Sequence, residues 1–149
     1  MTKENAMSQA LVDMINMINQ NPPGWLRALD LVIIAASADE VTAEWTVSEK
    51  HHQGYGIVHG GVHSSVIETL ASLGAAIAAA PRNQRVVGLE NHTSFIRAVR
   101  DGKLRAVARP VTRGRSSQVW DVWIRDAEER LVAQGSVRLL CIAQDQQLG

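Results

Sequence analysis

The chain has 149 residues, of which 15 are basic and 15 acidic, so its formal net charge is zero. This length predicts one domain with a substantial core, and the balanced charge gives no overall field that favours nucleic acid or a membrane surface. The single cysteine, Cys141, excludes an internal disulfide and favours a reducing, cytoplasmic compartment, and the N-terminus lacks the charged-then-apolar pattern of a secretion signal.

The first segment predicts an amphipathic helix over residues 5–20. Its apolar residues recur at helical spacing between polar ones: Leu11, Met14, Ile15 and Ile18. An Asn-Pro-Pro-Gly run at 21–24 ends this helix. We therefore separate a helical extension, residues 1–24, from a main domain, residues 25–149.

Two strands and a polar loop follow the first helix. Leu29 to Ala36 has the composition of a strand, and Val41 to Val47 alternates between apolar and polar residues. We expect the two strands to form a hairpin through Ser37 to Glu40. The polar run from Ser48 to Gly56 predicts a loop that leads into the next helix.

The segment from Val62 to Ala80 predicts a buried central helix. It contains no proline, its only formal charge is Glu68, and Pro81 closes it. A helix that is apolar on every side belongs inside a fold, and we expect Glu68 and Pro81 to interrupt it too much for a membrane span. Because burying a lone carboxylate is costly unless it is paired or used, Glu68 marks a candidate site.

Four further strands complete a predicted α+β fold. They cover Arg85–Ile96, Lys103–Thr112, Ser117–Arg125 and Leu131–Ile142. Six strands with one long helix indicate a curved antiparallel sheet wrapped around that helix, whose many alanines and glycines allow a close approach. The strand Ser117–Arg125 is apolar on both faces, which predicts that the helix covers one face and another subunit the other.

The start of the central helix carries a second chemical signal. If the helix begins near Gly60, then Ser64, Glu68 and Ser72 share one stripe, with Gly61 two turns before Glu68 on the same face. The free N–H groups of a first helical turn stabilise a carbonyl oxygen that becomes negative. This pattern predicts cleavage of an activated acyl group, with the N–H groups above the carboxylate of the same helix.

These residues support a resemblance to a known family. Gly56-x-x-His59-Gly60-Gly61 followed by Glu68 resembles the hot-dog fold acyl-CoA thioesterases of the phenylacetate-pathway and Arthrobacter-type 4-hydroxybenzoyl-CoA families, over roughly residues 25–142. The run Asn-His-Thr-Ser-Phe-Ile-Arg at 91–97 is similar to their channel-lining strand. The run Arg-Gly-Arg-Ser-Ser at 113–117 is similar to their ligand-binding turn.

The resemblance implies a role for each matching residue. Glu68 corresponds to the catalytic carboxylate, and Gly60 to the residue whose N–H polarises the thioester carbonyl, with His59 beside it in an orienting role. Gln53 corresponds to a residue that holds the thioester or the attacking water. Ser72 lies near the leaving sulfur or that water. Whether Glu68 acts as a nucleophile or as a general base stays open.

The same resemblance implies how coenzyme A binds. Its matching positions predict the following substrate-binding residues: Gly61, Thr93, Ser94, Phe95, Arg97, Arg113, Arg115, Ser116 and Ser117. Five basic residues near two strand connections suit the phosphates of coenzyme A: Arg97, Arg100, Lys103, Arg113 and Arg115. No metal or separate cofactor is implied, and the remaining histidines, which lack zinc spacing, are interpreted as surface or hydrogen-bonded side chains: His51, His52, His63 and His92.

Assembly and substrate are expected only in outline. In the resembling family the site lies at a homodimer interface, with the carboxylate of one subunit facing the glycine N–H of the other, and dimers pair in more than one way. We expect an aromatic or medium-chain acyl-CoA; naphthoyl, hydroxybenzoyl, phenylacetyl and fatty acyl groups all stay open. The alternatives are a hot-dog enoyl-thioester hydratase or dehydratase and a non-catalytic acyl-CoA-binding protein.

Overall fold

The chain forms one six-stranded antiparallel sheet around a long helix in a computed structural model. The structure describes residues 3–147, with side chains from residue 5 onward. The helices are α1 (Lys3–Gln20), α2 (Gly24–Leu29) and α3 (Gly60–Ala79), and the strands are β1 (Val32–Ala36), β2 (Val41–Thr46), β3 (Gln84–Phe95), β4 (Lys103–Arg113), β5 (Ser117–Arg125) and β6 (Leu131–Ala143). The first two and last two residues, which the predicted ranges 1–24 and 25–149 include, lie outside the described residues.

The strand order across the sheet is β1-β2-β4-β5-β6-β3, and every neighbouring pair is antiparallel. The predicted hairpin between β1 and β2 is present, closed by the Ser37 N–H donating to the Glu40 carbonyl at 2.8 Å. With the central helix and the N-terminal helix, this topology is the hot-dog fold, and the predicted fold class is confirmed.

Helix α3 lies in the concave face of the sheet and supplies the centre of the core. Its buried residues are His63, Val66, Ile67, Leu70, Ala71, Gly74, Ala75 and Ala79. Small residues let the sheet come close: a Cβ added at Gly74 would lie 2.5 Å from the Trp120 ring. The predicted close approach of sheet and helix is confirmed.

The length and hydropathy of this helix differ from expectation in one respect. The stretch Gly60–Arg82 is long and apolar enough to cross a membrane by length and composition alone, so Glu68 and Pro81 do not interrupt it as predicted. The core helix of a compact fold meets the same criteria, and here the helix packs into the sheet.

One predicted boundary is wrong. The strand predicted for Leu29–Ala36 begins only at Val32, because Leu29 ends α2 and Asp30 adopts a left-handed conformation with φ 54°. Leu29 and Leu31 are both buried, so the apolar run reflects packing of a helix end as well as a strand. A short 3-10 turn, Glu49–His51, also lies inside the predicted loop.

The two edges of the sheet are finished differently. At the β1 edge, the Asn19 side chain of α1 accepts a hydrogen bond from the Ile33 N–H at 2.9 Å and donates to its carbonyl at 2.7 Å. This amide occupies backbone groups that would otherwise pair with another strand. At the other edge, the 12 residues of β3 pair only with β6 among the described strands. The β3 edge is therefore the open one.

Candidate active site

The turn before α3 is held in one shape by its own hydrogen bonds. The Gln53 N–H donates to the Ile57 carbonyl at 2.9 Å, and its side-chain Oε1 accepts from the Tyr55 N–H at 2.6 Å. The Arg100 guanidinium donates to the carbonyls of Tyr55 at 2.9 Å and Gly56 at 3.2 Å. Gly56 takes a positive φ of 69°, a conformation that favours glycine. These contacts fix Gln53 at the entrance to the helix.

The first turn of α3 leaves one backbone donor unused. His59 caps the helix: its ring Nδ1 accepts from the Gly61 N–H at 2.8 Å, and its carbonyl accepts from the Val62 N–H at 2.9 Å. The Gly60 N–H has no hydrogen-bond partner within residues 3–147. His59 thus uses the amide of predicted site residue Gly61 and leaves that of Gly60 for a ligand.

The Gly60 end of the helix opens into a small cleft of about 230 Å³. Its lining contains four predicted site residues and the unpredicted His63: Gln53, Gly60, His63, Phe95 and Arg97. The Phe95 ring lies directly on Gly60, since a Cβ at that position would be 2.6 Å from the ring. Glycine lets the ring rest against the backbone at this position, and the structure brings these predicted residues together.

For His63, the interpretation as a surface or hydrogen-bonded histidine is wrong. Its side chain is buried, at 3% exposure, and its Nδ1 has no hydrogen-bond partner in the described part of the chain. Burial lowers the pKa of this imidazole to about 4, so the ring is neutral near pH 7. His63 is neither a surface nor a hydrogen-bonded histidine, and nothing in its sequence context reports this.

The Glu68 carboxylate lies half-buried between α3 and β3. Its Oε2 accepts from the Asn91 side-chain amide at 3.0 Å, and the same amide donates to the Ser64 carbonyl at 3.1 Å. The Thr93 hydroxyl donates to the side-chain Oδ1 of Asn91 at 2.7 Å, which sets the orientation of that amide. Thr93 therefore acts behind Glu68 in this chain rather than in the cleft.

The other carboxylate oxygen is positioned by shape. A Cβ added at Gly88 of β3 would lie 2.3 Å from Glu68 Oε1, so only glycine leaves room for it. Among the described residues, Oε1 accepts no hydrogen bond. Ser72 lies one helical turn further along α3, and its hydroxyl likewise has no partner in residues 3–147. Along α3 the site therefore presents three groups: Glu68 Oε2 held by Asn91, Glu68 Oε1 without a hydrogen bond, and the Ser72 hydroxyl.

The two parts of the candidate site lie apart within a single chain. Glu68 follows Gly60 by eight residues, which is about 12 Å along a helix axis. Their neighbours on β3 differ as well, because Glu68 contacts Gly88 and Asn91 while Gly60 contacts Phe95. The N–H groups and the carboxylate lie on one helix as expected, but one carbonyl group is too small to reach both, so they do not act on the same thioester from a single chain.

Comparison with known proteins decides the family. A family model described as the thioesterase superfamily matches residues 55–133, which is more than half of the chain and includes Gly60, Glu68 and β3. A Mycobacterium tuberculosis protein whose name describes it provisionally as an esterase is 38% identical over 113 residues, covering 74% of this chain and 81% of its own length. The chain belongs to the thioesterase superfamily.

Solved structures of similar proteins agree with this assignment. The structure of the Mycobacterium tuberculosis protein has a TM-score of 0.79 at 36% identity and covers 80% of this chain and 96% of its own. A Haemophilus influenzae thioesterase has a TM-score of 0.82 at 29% identity and covers 93% and 94%. A Staphylococcus aureus thioesterase has a TM-score of 0.75 at 27% identity and covers 78% and 97%. Membership of the superfamily and the names of these structures support hydrolase activity on thioesters for this chain.

The five basic residues that were expected to cluster lie at opposite ends of β4 in this thioesterase. Arg97, Arg100 and Lys103 lie at one end of β4, while Arg113 and Arg115 lie at the other, about 33 Å away by strand length. Arg100 holds the turn described above. Lys103 pairs with Glu44 at 3.1 Å and Arg113 with Asp39 at 2.8 Å. Within one chain, only Arg97 borders the cleft.

Three other predicted binding residues also lie outside the cleft. Ser94 faces the outer side of the sheet, beside His92 and Asp121, because side chains alternate along β3. Ser116 and Ser117 lie at the turn between β4 and β5, where the Ser116 carbonyl accepts from the Cys141 N–H at 2.8 Å. Among the described residues, no three His, Cys, Asp or Glu side chains lie together in a way that could hold a metal ion.

Sequence reasoning missed Gly88, Asn91 and His63. Asn91 opened the run that resembles a channel-lining strand, but its hydrogen bond to Glu68 spans 23 positions. The contact of Gly88 with Glu68 is also long-range. Such contacts depend on how β3 crosses α3, which no local pattern specifies.

Proposed function

We propose that the protein is an acyl-CoA thioesterase in which Glu68 drives hydrolysis and the Gly60 N–H polarises the thioester carbonyl. The observation that carries this proposal is the state of Glu68: a lone carboxylate on the core helix, held at Oε2 by Asn91 and fitted at Oε1 against Gly88. A charge held in this way, with one oxygen free, suits a reaction better than a purely structural role.

The chemistry has two forms that share the same residues. As a nucleophile, Glu68 Oε1 bonds to the carbonyl carbon, the C–S bond breaks, and coenzyme A leaves as the thiolate; water then cleaves the resulting anhydride. As a general base, Glu68 takes a proton from a water that attacks the same carbon; the C–S bond then breaks, coenzyme A leaves as the thiolate, and the proton passes from Glu68 to it. In both forms the carbonyl oxygen gains negative charge, which the Gly60 N–H and the positive end of the α3 dipole stabilise.

Gln53 and Ser72 complete the proposed machinery. Gln53 borders the cleft with its amide nitrogen available to the thioester or to water. Ser72 presents its hydroxyl one turn from Glu68 toward the leaving sulfur. The Staphylococcus aureus thioesterase has solved variants in which a glutamine and a glutamate 15 positions apart are each replaced by alanine. Gln53 and Glu68 of this chain are also 15 positions apart.

The proposed active site requires two copies of the chain. When Glu68 attacks the thioester carbon, the carbonyl oxygen must lie within about 3 Å of the donor N–H. Gly60 of the same helix lies about 12 Å from Glu68 along the axis, about four times that distance. The partner's Gly60 then supplies the N–H. The open edge of β3 is the surface that a second copy would use, since both halves of the site lie against β3.

This requirement also suggests the register of the dimer. If two β3 strands pair antiparallel about a two-fold axis, Phe95 of one copy must lie opposite residues 88–91 of the other for Gly60 to approach Glu68. The axis then passes within about one residue of His92. A further pairing of two dimers through the outer sheet face, where Trp123 and Val119 are only half-buried, fits the apolar composition of that face.

The proposed substrate is an aromatic or medium-chain acyl-CoA. The cleft beside Gly60 is small and walled by Phe95 and aliphatic side chains, which suits a ring or a short chain better than a bulky polar group. Arg97 at its border suits a phosphate, and Arg113, Arg115, Ser116 and Ser117 would contribute from another subunit. The motif favours the phenylacetate-pathway and Arthrobacter-type branch, acting in the cytoplasm.

Hydrolysis of a panel of acyl-CoAs tests the reaction, with thiol release measured by a thiol-reactive dye. We expect wild type to release coenzyme A from at least one aromatic or medium-chain member, and Glu68→Ala to lose at least about 10²-fold in kcat while still binding substrate. Hydration of an enoyl-CoA without thiol release would identify a hydratase instead. Binding of acyl-CoAs with no turnover would identify a non-catalytic binder.

A pair of variants at one position isolates the proposed N–H donor. Gly60 is the first residue of α3, where proline is favoured, and His59 before it has φ −65° and ψ 135°, which proline tolerates. Gly60→Pro therefore removes the N–H with little cost to the helix, and Gly60→Ala keeps it. Both variants place a Cβ at the same position, 2.6 Å from the Phe95 ring. We expect Gly60→Pro to lose about 10²-fold more kcat than Gly60→Ala; equal activities would exclude the N–H from catalysis.

A further inference from the structure

His63 is the buried polar group that the proposed mechanism leaves without a role. Its imidazole is 3% exposed, and its Nδ1 is closed off from solvent without a partner in the described part of the chain. A protein gains nothing in stability from burying such a group, because an unpaired polar atom in the interior is costly. This cost is explained if the imidazole has a function in the cleft that His63 lines.

The direction of the side chain brings the ring to the Gly60 end of that cleft. His63 is three residues after Gly60, and side chains on a helix point back toward its N-terminus, over the preceding turn. The ring therefore lies over the turn that carries the free Gly60 N–H. Phe95 confirms this placement, since its ring lies on Gly60 and its centre is 6.3 Å from that of His63.

The choice of tautomer follows from burial. An orphaned N–H inside a protein is rarer than an under-satisfied acceptor. Nδ1, which is fully enclosed, is therefore expected to be the bare nitrogen, so that Nε2 carries the hydrogen. Within the described residues Nε2 makes no hydrogen bond, and it is not enclosed as Nδ1 is. The ring then presents one N–H donor to the cleft.

We propose that His63 is a second donor to the thioester oxygen, its Nε2–H hydrogen-bonding the carbonyl oxygen beside the Gly60 N–H. This role rests on the proposed thioesterase function and adds a residue to it. No proton is transferred: the bond only strengthens as the oxygen becomes negative. Because burial lowers the pKa of this imidazole to about 4, the ring is neutral near pH 7 and Nε2 can donate while Nδ1 stays bare.

Substitution separates this role from a structural one. His63→Leu removes the donor and is expected to lower kcat by about 10²-fold with little change in KM, because the bond matters chiefly in the transition state. His63→Gln places an amide N–H near the former Nε2 and is expected to recover part of that loss. A kcat for His63→Leu within about twofold of wild type would overturn the proposal.

Thermal stability supplies a matched control. His63→Leu is expected to raise Tm, since it removes an unpaired buried nitrogen. His51 is also buried, but its ring accepts from the Ser48 N–H at 3.0 Å and contacts the Leu29 carbonyl at 3.0 Å. His51→Leu is therefore expected to lower Tm. If His63→Leu lowers Tm as His51→Leu does, with an equal loss of activity, His63 is structural.

A spectroscopic measurement tests the contact without turnover. A ketone analogue with CH₂ in place of the thioester sulfur is bound to wild type and to His63→Leu, and its carbonyl stretch is measured by infrared difference spectroscopy. We expect a lower frequency in wild type, because two donors weaken the C=O bond more than one. The same frequency in both proteins would refute the contact. Wild type that hydrolyses no thioester would refute the proposed function, while the infrared shift still decides the role of His63.

Discussion

Gly88 offers the sharpest test of how Glu68 is positioned. A Cβ at this residue would lie 2.3 Å from Glu68 Oε1, whereas ordinary contact begins near 3.4 Å. In Gly88→Ala the carboxylate must therefore move by about 1.1 Å, the difference between these distances. The Gly88 backbone has no positive φ, so the strand itself accepts alanine without strain.

A displacement of this size is expected to cost about 10²-fold in kcat, because misplacing a reacting group by about 1 Å typically has that effect. The free energy of unfolding should change little, since alanine in place of glycine also restricts the unfolded chain. The assay is thiol release from the best acyl-CoA substrate, with Tm measured in parallel. Gly24→Ala is the matched control, because a Cβ there meets nothing within 4 Å.

A double variant shows whether Gly88 acts through the carboxylate. In a Glu68→Ala background, Gly88→Ala is expected to cause no further loss, since the two substitutions remove the same function. Wild-type kcat in Gly88→Ala, or an added loss in the double variant equal to that in wild type, would refute the claim that Gly88 positions Glu68.

Three other predictions follow from particular contacts. Asn91→Leu removes the amide that donates to Glu68 and should lower kcat by about tenfold, as measured by thiol release; an unchanged kcat would refute it. Because folding lowers the pKa of His63 from 6.5 to about 4, the free energy of unfolding should fall as the pH drops from 6.5 toward 4, by up to about 3 kcal/mol from this residue. Urea unfolding at several pH values should show a shallower fall for His63→Leu than for wild type. An equal pH dependence in both proteins would contradict the prediction. His92→Cys should form disulfide-linked dimers on oxidation, as seen on non-reducing gels, whereas Val32→Cys on the opposite sheet edge should not; equal cross-linking would contradict the proposed β3 interface.

The strands and the central helix were predictable because their patterns are local. The predicted strand Ser117–Arg125, a run of strand-forming residues between two turn segments, matches the structure to the residue, and an apolar, proline-free run located α3 to within two residues. The predicted strand at Leu29 was wrong because a buried helix end and a strand can have the same apolar composition. Only the left-handed Asp30 separates them, and that conformation depends on tertiary context.

The candidate site divides along the same line. Gly60, His59 and Glu68 were found from a short motif within one segment. Gly88, Asn91 and His63 were missed because their importance lies in contacts between β3 and α3 or in burial. The single-helix geometry failed for a simpler reason: the spacing placed Gly60 and Glu68 on one helix, but the distance between them exceeds the size of the group that both must contact.

Subunit complementation tests the shared site most directly. Glu68→Ala and Gly60→Pro chains, each inactive as a homodimer, are co-expressed with different tags, and the mixed dimer is purified by both. One of its two sites then carries both substitutions and the other carries neither, so the account predicts about half of wild-type activity. A mixed dimer as inactive as its parents would place both groups in the same chain's site and contradict the account.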